Sequence, residues 1–456
     1  MLRASGLHAL RCLALLLALG AAGCGRDAPA RPNIVLVLAD DLVAGALGFE
    51  GNALARTPHL DALARGGARF LRAYVPTPQC APSRAALLLG VPPHASGMLA
   101  NREEWDRGRP TLAQVLRTAG YRTGFVGKWH LGEDEVPQAG FESWCAIDRR
   151  GFSYYDPVLH RDGRAEPRQG YVPSLLTDEA LRFLAAEDER PFFLWLAYTS
   201  PHEPLQPPPD PDLAHDPARF ALPESMGDDL SGKPAAQRAS AEHELFRAQT
   251  PETLRAVRAL YQSVVDALDR EVGRLLEGLA RAGLREETLV VFLSDNGTLA
   301  GEHQMVTKGP AFYEELVRTP LVVSWPGTIA PAELEALASS LDLFPTLARL
   351  AGAAPPADLA GLDLGPLLAG ADGAARRELF FEYARKRPDD EPTPMLGWVD
   401  ARHKYVLYLS SNEEELYDLV ADPRELRNLA AREPELLAEA RTRLAPYRAR
   451  AERALR

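Results

Sequence analysis

The run Asn33-Ile34-Val35-Leu36-Val37-Leu38-Ala39-Asp40-Asp41 decides how this chain folds. Residues 34–39 are apolar without alternation, and Ile34, Val35 and Val37 are β-branched. A strand with one wet face alternates apolar and polar residues. A strand covered on both faces does not, and such strands belong to parallel sheets sandwiched between helices. Residues 192–198, 288–293 and 321–325 also read as strands, the first of them buried like the opening run. Helical spacing intervenes at 57–64, 111–119, 173–186 and, longest of all, 251–282, where Leu260, Val264, Leu268 and Val272 keep one apolar face. The alternation of buried strands and helices predicts an α/β fold.

Open α/β sheets place their sites at the carboxyl ends of the strands. Asp40 and Asp41 stand at the first such end. Two adjacent carboxylates there repel each other and invite a divalent cation; a solvated turn or helix cap is the competing use of such a pair. Asp295-Asn296-Gly297 follows the 288–293 strand with two more oxygen donors, although Asn-Gly is also a common turn. His202, in Ser200-Pro201-His202-Glu203-Pro204, follows the 192–198 strand. Lys128 and His130 flank Trp129 after the strand-like run that ends at Gly127.

Cys80-Ala81-Pro82-Ser83-Arg84 precedes the apolar run 85–89. Pro82 and Ser83 read as a helix start, which puts Cys80 just before a helix N-terminus, where an anion is favoured. Arg84 adds a fixed positive charge one turn away. A lone cysteine is commonly a small buried hydrophobe, so its meaning rests on the company it keeps.

That company is specific. Cys-x-Pro-Ser-Arg at 80–84 resembles the signature of the sulfatases, and Gly120 to His130 resembles their second signature. Arg31 to Asp41 is similar to the family's opening strand. Gly301-Glu302-His303, Lys308 and Tyr313-Glu314-Glu315 are similar to the sequence after its later strand. Residues 342–350 and 415–429 continue the likeness, which spans about 32–450. The resemblance implies an alkaline phosphatase-like fold: a large mixed, mostly parallel sheet flanked by helices. It implies a catalytic domain over 32–375, and the run of short strand candidates after 375 adds an antiparallel α+β subdomain over 376–456.

By the same resemblance Cys80 is converted to formylglycine by a formylglycine-generating enzyme. One Ca²⁺ per chain is held by Asp40, Asp41, Asp295, Asn296 and the modified Cys80. Arg84 orients the nucleophile, and Lys128 and Lys308 hold sulfate oxygens. The aldehyde hydrate attacks sulfur, and His202, with Lys308 as a second candidate, protonates the leaving alcohol. His130 then takes a proton so that sulfate is expelled. The implied substrate is a sulfated small molecule or glycan. Two alternatives stay open: a phosphate or phosphonate ester hydrolase of the same superfamily, and a non-catalytic glycan-binding lipoprotein with unmodified Cys80.

The ends and the composition set the context. Arg3, Arg11 and the apolar core 13–19 read as an export signal over 1–23, too short for a membrane span. Ala21-Ala22-Gly23-Cys24 resembles a lipobox, with Cys24 lipidated and 24–31 a linker; an ordinary cleaved signal is the competing reading. The expected location is periplasmic or at the cell surface, with the membrane met through the lipid alone. A net charge of −12 argues against a nucleic-acid partner. Cys145 is left without a pairing role and reads as a buried thiol. Residues 131–172, polar and Gly-rich, read as loops over the site.

Overall fold

A computed structural model of the chain describes residues 31–455 apart from 102, 139, 149–152, 372–375 and 386–392. The signal-like segment and Cys24 lie outside the described residues. In chain order the strands are β1 (Asn33–Asp40), β2 (Ala68–Tyr74), β3 (Arg122–Gly127), β4 (Ser143–Ile147), β5 (Val158–Arg161), β6 (Arg164–Pro167), β7 (Phe192–Pro201), β8 (Thr288–Ser294), β9 (Leu299–Ala300), β10 (Val306–Thr307), β11 (Leu321–Ser324) and β12 (Ala332–Ser339). Strands β9 and β10 pair only with each other. The other ten form one sheet in the order β12-β2-β11-β8-β1-β7-β3-β4-β5-β6.

Strand β1 is central and runs parallel to both neighbours, Leu36 opposite Trp195 of β7 and Val37 opposite Phe292 of β8. Its side chains explain the missing alternation. Ile34, Leu36 and Leu38 enter a core beneath the helices Cys80–Leu89, Leu112–Thr118 and Leu343–Leu350. Val35, Val37 and Ala39 enter a second core beneath Val172–Leu184 and Pro251–Arg281. Both faces are dry, so every residue from 34 to 39 is apolar. The sheet is mixed, as expected: β8, β1, β7, β3 and β4 are parallel, while β11 runs against β8 and β2, and β5 and β6 run against their neighbours.

The edges differ from the sequence reading. The 131–172 segment contributes β4, β5 and β6 to the sheet rather than loops alone. These strands are four or five residues long and β6 is mostly exposed, so no apolar period marks them. Strand β12 is likewise exposed over its first half. The helix at Cys80 also begins one residue earlier than Pro82 implies: Gln79 is its N-cap and Cys80 its first residue.

A second sheet, β13 (Leu379–Arg385), β14 (Thr393–Val399), β15 (His403–Tyr408) and β16 (Glu414–Asp418), is antiparallel throughout. One face shares a core with Tyr74, Phe312, Tyr313 and Leu337 from the main body. The other is covered by the helix Pro434–Leu455. That helix carries Pro446 inside it. Tyr447, Ala451 and Leu455 are buried in the same core, which offsets the hydrogen bond that Pro446 cannot donate.

Candidate active site

Five neighbouring parallel strands end on one edge, and four of those ends carry the site. Asp40 closes β1, and Asp41 turns out of it with φ 67°. A non-glycine residue there needs support. Tyr261, on the long helix, supplies it by donating to Asp41 O (2.8 Å) and accepting from Val43 N (3.0 Å). Ser294 Oγ accepts from Leu42 N at 2.9 Å, tying the β1 end to the β8 end. Asp295 and Asn296 follow β8, and both are buried. Gly297 comes next because a Cβ there would stand 1.9 Å from Glu315 O.

Strand β3 delivers Lys128 in the same direction. Gly127 before it has φ 123°, and a Cβ there would meet Ala197 O at 1.9 Å, so the two strands close only over a glycine. Trp129 is locked among Phe125, Phe141, Trp144 and Trp195. This packing fixes the backbone between Lys128 and His130. Strand β7 ends at Pro201 and His202 follows, its Nδ1 hydrogen-bonded to Glu203 O. A carbonyl only accepts, so Nδ1 carries the hydrogen and Nε2 faces Asp41 Oδ2 at 3.8 Å.

Around these ends the charges pair closely. Lys128 Nζ binds Asp40 Oδ2. Arg84 Nε reaches Asp295 Oδ2 at 2.8 Å, and its Nη1 donates to Lys128 O at 2.5 Å. Lys308 Nζ lies 2.6 Å from Asp41 Oδ1 and 2.8 Å from Cys80 Sγ. Asn296 Nδ2 donates to Asp41 Oδ1 at 2.6 Å. Asp40 Oδ1 and Asn296 Oδ1 are buried with no hydrogen bond. Ligand-type atoms of Asp40, Asp41, Cys80 and His202 all lie within 4.8 Å of one another.

Every residue expected at the site except His130 takes part in these contacts. His130, half-buried with φ 64°, stands outside the group of four. Asp295 also stands outside it, turned toward Arg84. The fold brings Cys80 and His202, far apart in the sequence, together. Tyr261 was missed; it reads in sequence as one more position on an amphipathic helix.

The electrostatics follow from burial and pairing. Burial alone would raise the Asp40 carboxyl, but Lys128, His202, Arg84 and Lys308 hold it well below the usual range. Asp295 is pushed up to about 7 by burial and by Asp40, against the pull of Arg84. Burial would lower the Lys308 ammonium, yet Asp41 and Cys80 keep it well above its usual value. Burial and Lys128 lower His202, opposed by Asp41 and Asp40. Burial raises the Cys80 thiol well above its usual value despite Lys308. A cysteine nucleophile needs a thiolate, and this environment opposes one. Oxygen donors beside buried ammonium and guanidinium groups can hold a cation and an oxyanion side by side.

Comparisons with known proteins agree with the geometry. Residues 32–353 match the Sulfatase family model, and 301–448 match that of the N-sulphoglucosamine sulphohydrolase C-terminal region. Human arylsulfatase A is 35% identical, over 93% of this chain and 83% of that protein. An N-acetylglucosamine-6-O-sulfatase of Bacteroides thetaiotaomicron is 29% identical, over 91% of this chain and 86% of its own. Among solved structures, one in complex with its substrate D-glucosamine-2-N,6-O-disulfate superposes with a TM-score of 0.83 at 26% identity, covering 92% of this chain and 98% of that one. A phosphonate monoester hydrolase from Silicibacter pomeroyi gives 0.79 at 25% identity, covering 92% and 96%. With a family model over most of its length and a relative above 30% identity, the chain belongs to the sulfatases and is a sulfuric ester hydrolase.

Proposed function

We propose that the protein removes sulfate from a sulfated carbohydrate, using residue 80 as a formylglycine and one bound Ca²⁺. The observation that carries the reading is the convergence on Cys80. Two lysines, an arginine and three aspartates, from the ends of β1, β3, β8 and β10 and from the helix of Cys80 itself, surround a side chain that burial keeps as a thiol. A thiol so placed is a weak nucleophile, whereas the hydrated aldehyde offers one hydroxyl to attack sulfur and a second whose proton can be removed to expel sulfate.

Asp40, Asp41, Asp295 and Asn296 would hold the cation together with an oxygen of residue 80. The unpaired Asp40 Oδ1 and Asn296 Oδ1 support a hard cation at this place. When bound, it supplies Lewis-acid polarisation of the sulfate group. The chain's own residues do the rest. Arg84, fixed by Asp295 and the Lys128 carbonyl, orients residue 80. Lys128 and Lys308 bind sulfate oxygens and stabilise charge in the transition state. His202, as the doubly protonated ring that Asp41 and Asp40 favour, gives its Nε2 proton to the departing alcohol, and His130 removes the proton that releases sulfate.

The carbohydrate assignment draws on the amino-sugar substrates named for two of the similar proteins. The export signal and the Cys24 lipobox support a periplasmic or cell-surface enzyme, tethered by lipid. Among the described residues no helix is long and apolar enough to cross a membrane. The phosphonate hydrolase among the similar structures supports a second reading, phosphonate or phosphate ester cleavage. Purified protein with its metal content measured is assayed side by side on sulfated monosaccharides, a phosphonate monoester and a phosphate monoester. Sulfate release with stoichiometric calcium supports the proposal. Turnover of the phosphorus esters alone overturns it, and stoichiometric zinc overturns the calcium assignment.

A further inference from the structure

Lys308 is not placed by a strand of the main sheet. It follows β10 on a segment whose backbone is left-handed at His303 (φ 50°), Gln304 (φ 55°) and Thr307 (φ 61°). Such residues persist where surrounding contacts over-determine them. Here the contacts come from far upstream. His303 is buried and its Nδ1 lies 2.9 Å from Asp228 Oδ2. A carboxylate only accepts, so Nδ1 carries the hydrogen, and burial favours the neutral ring. The imidazole stacks on Tyr313, with centroids 3.6 Å apart and planes within 6°. Lys233 Nζ, 3.3 Å from the same Asp228 oxygen, balances the buried charge. Gln304 Nε2 donates to Asp228 O at 2.8 Å, and His243 Nδ1 is hydrogen-bonded to Gln304 O at 2.9 Å.

The turn is coupled to Lys308 through packing. Met305 Sδ sits where a Cβ on Gly309 would meet it at 2.4 Å, so Met305 rests on the residue next to Lys308. Beyond Lys308 the chain is held again, by Tyr408 OH donating to Pro310 O at 2.9 Å and by Tyr313 OH donating to Gln237 Oε1 at 2.8 Å. Lys308 therefore stands between two anchors, and Asp228 is the acidic side chain at the first of them.

We propose that Asp228, acting through His303, is a positioning residue for Lys308. The Asp228–His303 pair locks the turn that sets where the Lys308 ammonium stands relative to residue 80. The inference rests on the reading of Lys308 as a sulfate-binding group. It also gives the Pro- and Asp-rich excursion at 205–240 a role in catalysis, since that excursion supplies Asp228 and Lys233.

The test is a double-mutant cycle on kcat/KM for 4-nitrophenyl sulfate, with Asp228→Ala, Lys308→Ala and the pair. Asp228→Ala is expected to lower kcat/KM about ten- to a hundredfold in the parent but less than about threefold beside Lys308→Ala. Asp228→Asn, which keeps an oxygen where Oδ2 stands, should stay within about threefold of the parent. A merely structural role would cost the same factor in both backgrounds, and that result overturns the inference. So does full activity of Asp228→Ala. Should Asp228→Ala not fold, the cycle is run with His303→Leu. There His303→Asn is the conservative variant, because asparagine tolerates the left-handed backbone and keeps a donor for Asp228. Unchanged activity of Lys308→Ala alone would instead overturn the reading of Lys308, and the inference with it. An impaired Lys308→Ala without coupling overturns the inference alone.

Discussion

His202 is expected to matter in proportion to how badly the leaving group needs a proton. Its Nδ1 is committed to the Glu203 carbonyl, so Nε2, facing Asp41, is the atom that can serve the reaction. A sugar alkoxide is strongly basic and needs a proton as its bond to sulfur breaks. A nitrophenolate leaves nearly unaided. General-acid catalysis contributes about 10²–10⁴-fold, or about 2.7–5.4 kcal/mol of barrier at 1.36 kcal/mol per decade. His202→Ala should therefore lose about that factor in kcat on a sulfated sugar and less than about tenfold on 4-nitrophenyl sulfate. The assay is sulfate release by ion chromatography for the sugar and absorbance for the aryl ester, at one pH and one calcium concentration. The structure offers one competing role. His202 lies within 4.8 Å of Asp40, Asp41 and Cys80 and could itself be a metal ligand. A ligand's loss would lower metal content and reduce both rates together. Equal losses on the two substrates refute the general-acid assignment, and equal losses with depleted metal identify a ligand instead.

Four further outcomes are expected. Protein made alongside a formylglycine-generating enzyme should lose sulfur at Cys80 by mass spectrometry of the tryptic peptide; an active preparation with an intact thiol there refutes the nucleophile assignment. The same converted protein, made without residues 1–30, should show one thiol to a disulfide reagent after denaturation, that of Cys145. In the native state at pH 8 it should show none, because Cys145 is buried and its thiol is pushed up to about 12. Asp295→Ala should abolish calcium binding by calorimetry along with activity, and should lower stability because buried Arg84 keeps only the looser ion pair with Asp40 (3.7 Å) and its bond to the Lys128 carbonyl; a variant with parental calcium affinity removes Asp295 from the metal site. Lys404, fully buried between Glu314 (2.8 Å) and Glu425 (2.9 Å), should prove structural: Lys404→Met should cost about 3–5 kcal/mol in chemical denaturation while leaving kcat/KM of the remaining folded enzyme unchanged.

The parts of the fold that could be read in sequence are those with dry surroundings. Strands β1, β7 and β8 announce themselves because both faces are buried, and their parallel pairing brings Asp40, Asp41, His202, Asp295 and Asn296 to one edge without further information. The edge strands β6 and β12 carry no such signal, since half or more of their side chains meet solvent, and β4 and β5 are too short to show a period. The placement of Lys308 is a different case. Its residue type and order matched a known pattern, but its approach to Cys80 depends on a turn braced by Asp228 and His243, and no local period encodes that bracing. Tyr261 was hidden for a similar reason: a phenol that supports one backbone turn looks, in sequence, like any aromatic on a helix face.

The site's charge explains how an acidic chain can act on an anion. The net charge is −12, but fields from exposed charges fade over about 8 Å at physiological salt. An ester at residue 80 therefore meets the local set. That set is balanced: Asp40, Asp41 and Asp295 face Lys128, Lys308 and Arg84 in direct pairs. A balanced site favours neither an anion nor a cation alone. A dication shared by Asp40 and Asp41 would leave Lys128 and Lys308 with surplus positive charge, and a sulfate group beside them would offset it. Each ligand thus strengthens the binding of the other, and the coupling is reciprocal. The lysines that pair with the carboxylates are then the same groups that select the anion, which is why Lys128 is buried at the end of β3 and Lys308 stands half-buried beside Cys80 rather than on the surface.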